Sequence, residues 1–61
     1  MNTLKDLTTY CKKKIMEHPN LATEIKSFYD LAVTEIEDGE SETGEVWKAY
    51  DDIEDMIKSE S

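Results

Sequence analysis

A chain of 61 residues with a formal net charge of −8 makes one small domain with a marginal core, because a short chain buries too little surface to outweigh its ordering entropy by much. The single cysteine, Cys11, excludes an internal disulfide framework. The longest unbroken apolar run, "LAV" at 31–33, falls far short of the roughly 20 residues that span a bilayer; Lys5 and Asp6 interrupt the amino-terminal segment, so no secretion signal is expected and a reducing cytoplasm is the expected compartment.

The first segment, "NTLKDLTTYCKKKIMEHP", places Leu4, Leu7, Cys11, Ile15 and His18 at helical spacing, with Tyr10 beside them. Thr3 followed by Asp6 is a short version of a capping box. Pro19 disfavours helical geometry at His18 and predicts the stop. Lys12, Lys13 and Lys14 gather toward the carboxyl end, where cations complement the helix dipole.

In the second segment, "NLATEIKSFYDLAVTEIE", Asn20 is the expected N-cap. Leu21, Ile25, Phe28, Ala32 and Ile36 define an inner face, widened by Tyr29 and Val33 on one side and by Leu31 on the other. That arc exceeds the usual stripe of a surface helix, which predicts a central element covered on more than one side.

The third segment, "SETGEVWKAYDDIEDMIKSE", has Ser41 and Thr43 as alternative caps. Glu42 and Glu45 fall in a first turn, where acids suit the positive end of the dipole. Val46, Ala49, Tyr50, Ile53, Met56 and Ile57 form its inner face; Asp51, Asp52 and Asp55 are expected to point away, with Trp47 at the boundary. The spacing predicts helices over about 3–17, 20–37 and 42–58. Short joints favour antiparallel neighbours, hence an all-α fold, a small up-down-up three-helix bundle in one domain. The rival is a dimerising hairpin of the last two helices with the first packed across it.

The joint "IEDGESETGE" at 36–45 concentrates both glycines and five acids. A calcium loop would need oxygen ligands at positions 1, 3 and 5, Gly at 6 and Glu at 12. With Gly39 at position 6, Thr34 and Ile36 occupy 1 and 3; with Gly44 there, Gly39 occupies 1. Neither register works. A helix-ending turn at Gly39 is expected instead. Gly44 either permits close backbone approach or delays the third helix. Glu35, Glu37 and Asp38 crowd the negative end of a helix dipole, a placement that folding alone does not reward.

Charge is lopsided. Residues 1–29 carry five Lys against Asp6, Glu17 and Glu24, a net of +2; residues 30–61 carry Lys48 and Lys58 against twelve acids, a net of −10. Such a surface is repelled by nucleic acid and anionic lipid and attracted to basic proteins. Catalysis has little to stand on. His18 is the lone histidine, beside a helix-ending proline; Cys11 lies on an apolar face, where it acts as a small hydrophobe. No cofactor or metal ligand set is expected. The expected contact residues for a partner are Trp47 with Asp51, Asp52 and Asp55, together with the surplus apolar residues Tyr29 and Val33, which join Tyr10 and Leu31 in an expected hydrophobic patch.

The segment "EIEDGESETGEVWKAYDDIEDMI", residues 35–57, resembles a pattern in small, acidic, phage-encoded helical proteins, most of them uncharacterised: an acidic helix end of the type "EIEDG", a polar turn, and a second helix closing on "IEDLI" or a similar run, here "IEDMI". The resemblance implies a phage accessory protein of the bacterial cytoplasm that binds and disables or redirects a host protein, and it carries over no functional residue. The expected function is a non-enzymatic acidic interaction protein that inhibits or modulates a basic host protein handling nucleic acid or defence. The alternatives are a homo-oligomeric scaffold subunit, with a homodimer as its simplest form, and an antitoxin-like neutraliser of a basic protein.

Overall fold

The computed structural model describes residues 3–60. Thr3 is extended (φ −126°, ψ 163°), and its side-chain oxygen accepts the Asp6 N–H at 3.2 Å. It is therefore the N-cap of α1, Leu4–Glu17, and one amide that the first helical turn leaves without an intrahelical partner is satisfied. The helix stops at His18 (φ −134°, ψ 67°), whose N–H donates to the Lys14 carbonyl at 2.8 Å, as the following proline requires.

A single 3-10 turn, Pro19–Leu21, links α1 to α2, Ala22–Glu37. The expected Asn20 cap is corrected here. Proline's fixed φ suits the first position of a helical turn, so the turn begins at Pro19 and takes Asn20 into its middle. Leu21, buried in the core, occupies the N-cap position of α2 without a side-chain hydrogen bond. Burial of the leucine sets the start of α2 in place of a polar cap.

At its other end α2 closes in a Schellman motif. The Gly39 N–H donates to the Ile36 carbonyl and the Glu40 N–H to that of Glu35, both at 3.0 Å, with Gly39 at φ +106°. The third helix, α3, runs Glu42–Glu60, two residues beyond the expected end. Ser41 is its cap: the hydroxyl oxygen accepts the Gly44 N–H at 3.3 Å and the carbonyl accepts the Glu45 N–H at 2.9 Å. Both readings of Gly44 are corrected. The helix begins before it, and a Cβ there would meet only the Ser41 Cβ at 3.6 Å and Oγ at 3.7 Å, ordinary contact.

The three helices form the expected all-α bundle. Leu7 and Cys11 of α1, Leu21 at the turn, Ile25 and Ala32 of α2, and Val46, Ala49 and Ile53 of α3 make one buried cluster; Leu4, Tyr10, Ile15, Phe28, Tyr29, Met56 and Ile57 pack around it. The α2 helix packs against both others, as its wide apolar arc predicts. Contacts between α1 and α3 run in register, from Leu4 with Glu42 through Tyr10 with Tyr50 to Lys14 with Glu54. The two are parallel, and α2 returns between them. Among the described residues no buried side-chain polar atom lacks a hydrogen bond, and no helix is long and apolar enough to cross a membrane.

Candidate functional site

An aromatic stack runs from the α1–α3 seam to the surface. The Tyr10 and Tyr50 rings lie 4.5 Å apart at 19°, and Tyr50 and Trp47 follow at 5.6 Å and 23°. Trp47 ends the stack, 44% exposed. Offset stacking adds about 0.5–1.5 kcal/mol per pair beyond area burial, so the exposed indole is held against a packed neighbour. One and two turns further along α3 stand Asp51 and Asp55, both exposed. Positions 47, 51 and 55 step by four residues and fall on one stripe of a helix with 3.6 residues per turn. The stripe is an aromatic anchor leading into carboxylates.

Asp52 does not share it. One residue is 100° of rotation, and Asp52 is half-buried at the α2–α3 seam, around a space of about 10 Å³ lined by Phe28, Leu31, Ala32 and Ala49 among others. That space holds at most one water molecule. Tyr29 and Val33 lie elsewhere again, on one face of α2 and half-buried. The Tyr29 hydroxyl is bonded to Thr8 Oγ1 at 2.8 Å on the α1 side. The single hydrophobic patch expected from Tyr10, Tyr29, Leu31 and Val33 therefore does not form. Leu31, 49% exposed, is two residues from Tyr29 and so points the other way around α2, while Tyr10 belongs to the stack with Tyr50.

Two features escaped the sequence reading. The first is a clamp between α1 and α3. The Tyr10 hydroxyl donates to Glu54 Oε2. Lys14 Nζ lies 3.7 Å from the same oxygen, 3.3 Å from Glu17 and 5.5 Å from the Tyr10 ring centroid. The Tyr10 bond, then the charges of Lys14 and Lys58, hold the Glu54 carboxyl below the usual carboxylate range against the opposing pull of burial. Burial first, then the bond to Glu54, pushes the Tyr10 phenol well above its ordinary value. The second is Glu42, whose carboxylate accepts the Leu4 N–H at 2.8 Å. It serves the amino-terminal ends of α1 and α3 together, where two helix dipoles are positive. Neither contact carries a local signal, since each joins residues 38 or more positions apart.

Cys11 is buried, and burial pushes its thiol up to about 11, which keeps it protonated and unreactive at neutral pH. His18 caps the end of α1 through its backbone. Among the described residues no three His, Cys, Asp or Glu side chains are grouped to hold a metal ion. The chain matches no protein-family model, and neither curated proteins nor solved structures include a significant match to it.

Proposed function

We propose that this chain is a non-enzymatic binding protein that presents the acidic, aromatic face of α3 to a basic surface on another protein. One observation carries the reading: Trp47, 44% exposed and stacked on Tyr50, stands on the same helical stripe as Asp51 and Asp55. Tryptophan is enriched among the few residues that dominate binding energy. A rigid one loses little conformational freedom on docking, and carboxylates around it steer and orient a cationic partner. The likeness of residues 35–57 to small phage-encoded proteins supports the bacterial cytoplasm as the setting and a host protein that handles nucleic acid or defence as the target, inhibited or redirected by occupation of its basic site. An antitoxin-like neutraliser would use the same contact.

The test is affinity capture from bacterial lysate with the wild-type chain, Trp47→Ala and the pair Asp51→Lys, Asp55→Lys, at low and high salt. Proteins bound specifically by the wild type are expected to be basic, to elute as salt rises, and to be lost with the charge reversal. For a purified partner, Trp47→Ala is expected to weaken binding by about 30-fold or more, the effect of an anchor worth at least about 2 kcal/mol. A partner retained by both variants overturns the assignment of the face.

A further inference from the structure

Between α1 and α2 lies an open groove of about 340 Å³, lined by Thr8, Cys11, Lys12 and Ile15 from α1 and by Lys26 and Tyr29 from α2. Its volume is at the lower end of the range of about 300–1,000 Å³ typical of binding pockets. Its floor is apolar: the Cys11 thiol is held neutral, and the Tyr29 hydroxyl is already occupied by Thr8, leaving the ring to line the groove. Lys12 and Lys26 are exposed and come from different helices. Neither groove lysine enters the ion pairs that Lys14 makes with Glu17 and Glu54.

In a molecule of net charge −8, this groove inverts the local sign. It asks for an apolar anchor accompanied by carboxylates, and the chain itself presents one in Trp47, Asp51 and Asp55. No residue belongs to both surfaces, and the stripe faces outward from α3 while the groove is formed by the other two helices, so one molecule does not fill its own groove. We infer that the chain self-associates head to tail, with the Trp47–Asp51–Asp55 stripe of one copy seated in the α1–α2 groove of the next. Lys12 and Lys26 meet the aspartates, and the indole covers the Cys11–Ile15–Tyr29 floor. Such a contact is heterologous: until a ring closes, each added copy leaves one groove and one stripe open, so assembly passes beyond two copies instead of stopping at a symmetric dimer.

Electrostatics gives the contact a signature. Copies of net charge −8 repel one another over a Debye length of about 30 Å at ~10 mM salt but only about 8 Å at ~150 mM, whereas the aspartate–lysine pairs act at contact. Self-association therefore strengthens between those salt concentrations. Capture of a basic partner by the α3 stripe, which shares the stripe but on which this inference does not rest, weakens over the same change.

The experiment is sedimentation velocity from micromolar to millimolar protein at both salt concentrations, with circular dichroism confirming that each variant is folded. The average mass of the wild type is expected to pass that of a dimer at high protein concentration and ~150 mM salt. Lys12→Glu with Lys26→Glu blocks the groove; Asp51→Lys with Asp55→Lys blocks the stripe. Each double variant alone is expected to stay monomeric. Mixed in equal amounts, they are expected to form a heterodimer that stops at two, because only one intact groove and one intact stripe remain. Trp47→Ala is expected to abolish the association at unchanged charge. A wild type monomeric throughout, a dimer that does not grow, or double variants that associate alone each overturn the proposal. The groove variant keeps the stripe intact, so loss of self-association in it with basic-protein capture preserved separates the two readings.

Discussion

Gly39 and Gly44 flank the same turn and respond to substitution in opposite directions. Gly39 has φ +106° with nothing within 4 Å of a built Cβ, so the obstacle to a side chain is the backbone itself; Gly39→Ala is expected to destabilise the fold by about 1–2 kcal/mol. Gly44 lies inside the first turn of α3, with ordinary helical geometry and space for a methyl group. Gly44→Ala keeps the N–H that donates to Ser41, removes the entropic penalty of a helical glycine, and is expected to stabilise by up to about 1 kcal/mol. For a domain of this size that is a rise in Tm of about 4–8 °C. Thermal melts of the two variants check both signs; a Gly44→Ala protein that melts lower than wild type would show that the glycine is required.

The helix ends at Glu17 and Glu37 follow local signals, whereas the start of α2, set by burial of Leu21, and the mutual setting of the helices do not. Pro19 and Gly39 punctuate the chain where α1 and α2 end, and the periodicity of Leu7, Cys11, Ile25, Val46 and Ile53 identifies faces that are in fact buried. Sequence pattern alone cannot show that Tyr10 of α1 slides onto Tyr50 or that Glu54 reaches the Tyr10 hydroxyl, because these depend on how far each helix is rotated and shifted against its neighbour. The clamp has a pH signature. Glu54 has its carboxyl lowered in the folded chain, so its contribution is complete above its unfolded value of about 4.3 and is lost as pH falls through the folded one. Tyr10 has its phenol raised, so its contribution is complete below about pH 10 and is lost as pH climbs further. Glu54→Gln is expected to flatten the acid limb of the stability profile and to cost about 1 kcal/mol at neutral pH, a charge-assisted bond discounted because a third of the side chain is exposed. Urea titrations across pH measure both limbs; an unchanged acid limb in the variant would remove Glu54 from the clamp.

For the molecule as a whole, charge opposes compaction. The net −10 of residues 30–61 includes Glu35, Glu37 and Asp38 at the negative end of α2 and the exposed Asp51 and Asp55, and Lys14 pairs with Glu17 and Glu54 elsewhere on the molecule. Screening relieves more repulsion than it removes attraction. At a dilution where the chain is monomeric, Tm is expected to rise by several degrees between ~10 mM and ~500 mM salt; a flat or falling Tm would mean that the acids are compensated within the fold. The candidate site was legible to the same depth as the fold. Spacing by four puts Trp47, Asp51 and Asp55 on one stripe, whereas grouping Asp52 with them followed residue type and ignored its rotation. The α1–α2 groove was hidden because Lys12 and Lys26 belong to different segments and meet only through tertiary packing.

The carboxylate of Glu42 on the Leu4 amide gives α1 a start that its own residues complete only in part. Thr3 serves the amide of Asp6; that of Leu4 is served from the far side of two interhelical joints. A fragment ending at the second joint would keep every residue of the first two helices and still lose the acceptor that closes the opening turn. Undocking of the last helix thus returns the Leu4 amide to solvent, so fraying at one terminus is coupled to detachment of the other.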